Sequence, residues 1–148
     1  MTNRDLLAIA SEFGNPLYVY DAAKIASQYQ RLTSAFRSIG DLRINYAAKA
    51  LSNVSILKLM RQLGSGLDTV SIQEVQLGLA AGFEPQAIIY TPNGVSLKEI
   101  EEVAKMGVQI NIDNLSLLEQ FGTRHPKTPV CIRINPCLLY TSDAADEE

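Results

Sequence analysis

Val108-Gln109-Ile110-Asn111-Ile112-Asp113 and Val130-Cys131-Ile132-Arg133-Ile134-Asn135 follow one scheme, an apolar side chain at every second position. Successive residues of a strand point to opposite faces, so each segment has one apolar face and one that tolerates polar groups. Strands of an open parallel sheet, covered by helices on both sides, read instead as continuous apolar runs. The alternation fits a sheet with helices on one side and a lumen able to hold polar groups on the other.

Working outward, similar strand candidates occupy 43–49, 67–71 and 87–91, ahead of 108–112 and 130–134. Their starts lie 24, 20, 21 and 22 residues apart, a regular βα period that predicts parallel strands joined by helices. Ser71-Ile72-Gln73-Glu74 and Ser96-Leu97-Lys98-Glu99 fit capping boxes, which assigns Glu74 to a helix start. Gly64, Gly82 and Gly107 sit where helix C-caps belong. Between 97 and 106, Leu97, Ile100, Val103 and Ala104 share a face opposite Glu99, Glu101, Glu102 and Lys105. No Gly-x-Gly-x-x-Gly follows the first strand, so the prediction is a (β/α)8 TIM-like barrel rather than a doubly wound dinucleotide fold. About five βα units are visible where such a barrel has eight in roughly 250 residues, so the barrel is expected to be incomplete. Cys137 to Glu147 read as the in-frame translation of a transposon-end sequencing adapter, and 137–148 is taken as a non-native tail.

Composition narrows the function classes. The chain has 148 residues, 47% of them hydrophobic, as in an ordinary globular domain. No apolar run approaches the roughly 20 residues of a membrane span, and the N-terminus lacks a secretory layout, so a cytoplasmic setting is expected. Cys131 and Cys137 form no disulfide framework, and His125, the only histidine, makes a metal site unexpected. The net charge of −3 owes much to the tail. Without Asp143, Asp146, Glu147 and Glu148, 13 basic side chains face 12 acidic ones, a net of +1 with no basic stripe, which argues against nucleic acid.

Lys49, Asp68 and Arg133 fall at or near the C-terminal ends of predicted strands, the rim where barrel enzymes collect catalytic residues. In Asn45-Tyr46-Ala47-Ala48-Lys49-Ala50 the lysine closes a strand between alanines, leaving room for a flat cofactor. Desolvation there would favour the neutral, nucleophilic amine that a Schiff base with pyridoxal phosphate requires; a merely solvated strand-end lysine is the alternative. If Lys49 faces inward, Asn45 does too. If Val130, Ile132 and Ile134 face the helices, Arg133 points inward and needs an anion. Asp68 could equally be a satisfied structural carboxylate, and Arg133 could pair with Asp68 or Asp113.

Three stretches carry a family resemblance: Phe13-Gly14-Asn15-Pro16-Leu17-Tyr18-Val19-Tyr20-Asp21, Tyr46-Ala47-Ala48-Lys49-Ala50 and Gly66-Leu67-Asp68-Thr69-Val70-Ser71. Together with Ile88-Ile89-Tyr90-Thr91-Pro92-Asn93-Gly94-Val95-Ser96 and Asn111-Ile112-Asp113-Asn114, they resemble the N-terminal part of the diaminopimelate decarboxylases, fold type III pyridoxal-phosphate enzymes. The resemblance implies that Lys49 carries pyridoxal 5'-phosphate covalently, that Asp68 lies beside it, and that Arg133 is a strand-five arginine near the cofactor. It implies an N-terminal strand at 17–20 joining a C-terminal β-domain, and organisation as an N-terminal strand and helix segment (1–40), a partial pyridoxal-phosphate-binding barrel (41–136) and the tail. Leu51 departs from the asparagine many members carry there. The implied activity of the full-length parent is decarboxylation of meso-2,6-diaminopimelate to L-lysine by a cytoplasmic homodimer. Relatives acting on ornithine, arginine or carboxynorspermidine, and a non-catalytic pyridoxal-phosphate-binding protein, are alternatives. The ring-stacking histidine, the glycine-rich phosphate loop and the Glu-Pro-Gly-Arg segment are expected beyond Pro136, so the chain alone is expected to be inactive.

Overall fold

Every strand candidate forms a strand in a computed structural model that describes residues 1–134. The strands are β1 (Asn45–Ala47), β2 (Gly66–Thr69), β3 (Ile88–Tyr90), β4 (Gln109–Ile112) and β5 (Val130–Ile132). All pair in parallel in the order β1-β2-β3-β4-β5. A doubly wound sheet reverses its order at a switch point; an unbroken sequential order is the arrangement of a (β/α) barrel wall. The adapter-like segment 137–148, with Cys137, lies outside the described residues.

Two compact units divide at Leu42/Arg43. The first holds α1 (Asn3–Phe13) and α2 (Ala22–Ala35). Thr2 and Asp5 form a reciprocal capping box on α1, and Asp21 caps α2 through the Lys24 N–H while accepting the N-terminal ammonium at 3.0 Å. Neither helix has a buried residue. Residues 17–20 carry no strand among the described residues; the implied one is a strand that joins a C-terminal β-domain in the full protein. A strand exists by pairing its N–H and C=O groups, and among the described residues none pairs there.

In the second unit α3 (Val54–Gln62), α4 (Ile72–Ala80), α5 (Leu97–Ala104) and α6 (Leu115–Arg124) connect successive strands. Leu67, Ile88, Tyr90 and Ile110 on the sheet pack with Leu57, Val75, Val103 and Phe121 on the helices, each no more than 1% exposed. In-register pairs put Ile110 with Val130 and Ile112 with Ile132 on this helix side, and Asn111 with Cys131 on the other. Ile132 is nevertheless 62% exposed, because no described element follows β5 to cover it.

The predicted caps form with different partners. Gly64, Gly82 and Gly107 take positive φ, as a helix C-cap demands. Ser71 and Ser96 accept from the N–H groups of Glu74 and Glu99. The returning halves of the boxes go elsewhere: Glu74 accepts from the Val70 N–H at 2.8 Å, and Glu99 accepts from the Tyr90 hydroxyl at 2.6 Å. Gly78 of α4 faces β2 and β3 so closely that a Cβ would run into Leu67 Cδ2 and lie 3.2 Å from Ile88 Cδ1.

Candidate functional site

β1 ends at Ala47, two residues earlier than predicted, and the chain turns through a single 3-10 turn, Ala48–Ala50, that carries Lys49. Tyr46 fastens the turn from below, donating its hydroxyl to the Leu51 carbonyl at 3.1 Å. Ala48 is buried as the pivot while Lys49 is exposed. The expected desolvation of the amine is therefore not provided by the described residues. The turn also breaks the period of two, so the shared face of Asn45 and Lys49 does not follow from strand geometry. Asn45 instead lies opposite Gly66, where its carboxamide fills the space a Cβ would need, and its buried Oδ1 has no hydrogen-bond partner among the described residues.

Asp68 pairs in register with Ala47, two residues before Lys49. Both lie at the C-terminal ends of neighbouring strands. Asp68 is half-buried, and its Oδ1 accepts from the Thr91 hydroxyl at 3.2 Å, just past β3. Thr91 Oγ1 accepts in turn from Asn111 Nδ2 at 2.9 Å. Gln109 Nε2 reaches Asn111 Oδ1 and Cys131 Sγ, each at 3.4 Å. A polar ladder thus crosses from β2 to β5 on the face away from the helices. The sequence reading missed Thr91 and Asn111 as members; Asn111 was marked by the alternation of its strand, whereas Thr91, just past the apolar run Ile88-Ile89-Tyr90, carried no such signal.

Arg133 follows β5, and its N–H continues the ladder by donating to the Ile112 carbonyl at 2.9 Å. Its side chain is exposed and forms no ion pair with Asp68 or Asp113 among the described residues. It borders a cavity of about 260 Å³ with Ile112, Asp113, Asn114 and Leu118, at the same rim as Lys49 and Asp68. A larger cavity, about 430 Å³, lies by Gly107, Val108, Pro129 and Val130 at the N-terminal ends of β4 and β5. It is at the wrong end of the strands for chemistry involving Lys49. Glu74 is committed to the Val70 N–H, consistent with its reading as a helix-start residue.

The donor set suits pyridoxal phosphate in kind: a primary amine for an aldehyde, a carboxylate oxygen left open for a cationic nitrogen, and a guanidinium for an anion. The family model for the pyridoxal-binding domain of pyridoxal-dependent decarboxylases matches residues 22–143. Diaminopimelate decarboxylase from Methanothermobacter thermautotrophicus is 37% identical over 134 residues, covering 89% of this chain and 31% of that protein. The Escherichia coli K12 enzyme is 35% identical over 140 residues, covering 92% and 32%. The crystal structure of diaminopimelate decarboxylase from Helicobacter pylori complexed with L-lysine superposes with a TM-score of 0.78 at 36% identity, over 90% of this chain and 34% of that one. The chain spans about a third of the length of these relatives.

Proposed function

Because the chain belongs to the pyridoxal-dependent decarboxylases, through their pyridoxal-binding domain, we propose that its full-length parent decarboxylates meso-2,6-diaminopimelate to L-lysine with Lys49 as the cofactor's covalent attachment point. The observation that carries the reading is the placement of Lys49, on an ordered turn directly after β1 and beside the strand that presents Asp68. When bound, the cofactor supplies the electron sink for the pair left behind by the departing carboxylate.

The chain's own residues prepare that chemistry. The turn presents Lys49 exposed at the rim, a primary amine open to a carbonyl group. Asp68, with Oδ1 held by Thr91, offers Oδ2 to a cationic nitrogen and so favours its protonated form. Arg133, free of Asp68 and Asp113, is available to an anionic group. The choice of diaminopimelate rests on the named relatives, at 35% and 37% identity over most of this chain.

The test uses the full-length parent. Borohydride reduction followed by peptide mapping should place the pyridoxyl group on Lys49, and Lys49→Ala should lose both the label and nearly all release of carbon dioxide from meso-2,6-diaminopimelate. A label on Lys58, the exposed helix lysine of α3, would overturn the assignment.

A further inference from the structure

We propose that Thr91, backed by Asn111, is a positioning residue that fixes the Asp68 carboxylate and reserves its Oδ2 for the bound cofactor. This rests on the reading that Asp68 lies in the cofactor pocket.

The direction of each hydrogen bond follows from donor and acceptor counts. An ionised carboxylate only accepts, so the single Thr91 hydroxyl proton must go to Asp68 Oδ1. Thr91 Oγ1 then has only lone pairs to offer, which obliges Asn111 to turn its Nδ2 toward it. That leaves Asn111 Oδ1 as acceptor for Gln109 Nε2. The Asn111 and Thr91 donors both point toward β2, and hydrogen bonds aligned this way polarise one another. The relay spans three strands whose positions are set by the sheet register, so it holds one carboxylate oxygen against a rigid frame. No hydrogen bond to Oδ2 occurs among the described residues.

The test is cofactor titration of the full-length parent, followed by absorbance without substrate. Thr91→Val keeps the shape and deletes the hydroxyl; it should weaken pyridoxal phosphate binding about tenfold and shift the bound cofactor's absorption band. Thr91→Ser restores a hydroxyl and should return affinity to within about twofold of wild type, which a loss of packing would not do. In an Asp68→Ala background Thr91→Val should have no further effect. If Thr91→Val does not fold, Asn111→Ala reads the relay from its other end and should weaken binding at least about threefold. Asp68→Ala leaving affinity unchanged would overturn the site reading and this proposal with it. Asp68→Ala weakening binding while Thr91→Val and Asn111→Ala do not, or Thr91→Val acting equally in both backgrounds, would overturn the relay alone.

Discussion

Replacing Tyr90 by phenylalanine removes a hydroxyl and nothing else from the middle of the core. The ring is fully buried and stays so, leaving no cavity to add to the cost. What disappears is a 2.6 Å bond to Glu99 Oε1, short enough for a neutral donor on a charged acceptor. Burial and, secondarily, Glu99 raise the phenol's pKa above its usual value, so it remains a donor at any physiological pH. Bonds to charged groups contribute about 1.5–3 kcal/mol. Glu99 is half-exposed, and water can partly replace the lost donor, which puts the expected loss near the lower end, about 1.5 kcal/mol. Because this bond ties the end of β3 to the first turn of α5, the loss should be local. Hydrogen exchange read by mass spectrometry on the full-length parent should show peptides over Leu97–Ala104 and Ile88–Tyr90 exchanging about tenfold faster, with peptides over α3 unchanged. Glu99→Gln, which keeps an acceptor without its charge, should cost less. Unchanged protection in both peptides would refute the reasoning, and so would uniform loss across the chain.

Two further outcomes follow from other parts of the molecule. Glu101 accepts from His125 Nε2 at 3.1 Å and from Arg124 at 3.3 Å; the His125 bond first, then Arg124, hold its carboxyl below the usual range. A lowered folded-state value stabilises above the unfolded glutamate range and is lost as pH falls through the folded value, so the gap in urea midpoint between wild type and Glu101→Gln should be full at neutral pH and narrow as pH falls below the unfolded glutamate value of 4.5; a gap that stays constant on acidification would contradict this. The 148-residue chain by itself, about a third the length of its relatives, should release no carbon dioxide from meso-2,6-diaminopimelate, and manometric detection of turnover would disprove it.

Much of this architecture was legible because it depends on short-range periodicity. Ile110, Asn111 and Ile112 announce their faces by alternation, and glycines at 64, 82 and 107 mark helix ends by a backbone conformation few other residues accept. Register is a different kind of information. Asp68 meets Thr91 because Asp68 aligns with Ile89, two residues earlier, and no local pattern encodes that alignment. The same holds for Glu99, whose spacing from Ser96 satisfies a capping box while its carboxylate answers a tyrosine on a neighbouring strand. The turn around Lys49 was hidden for a third reason: Ala-Lys-Ala favours helix but is too short to stand out against the strand pattern before it, and the bond that shapes the turn comes from Tyr46 reaching forward to Leu51.

Gly78 lies on the helix side of the sheet, far from the rim in sequence terms, yet it works as a spacer for the rim. With hydrogen in place of a methyl group, α4 rests directly on Leu67 and Ile88. The link from β2 to α4 is only Val70 and Ser71, and both are tied to Glu74 on that helix, one through its N–H and the other through its hydroxyl. Moving α4 outward would therefore draw on the segment immediately after Asp68 and Thr69. A missing side chain on the outer wall thus gauges the height at which the inner carboxylate is presented.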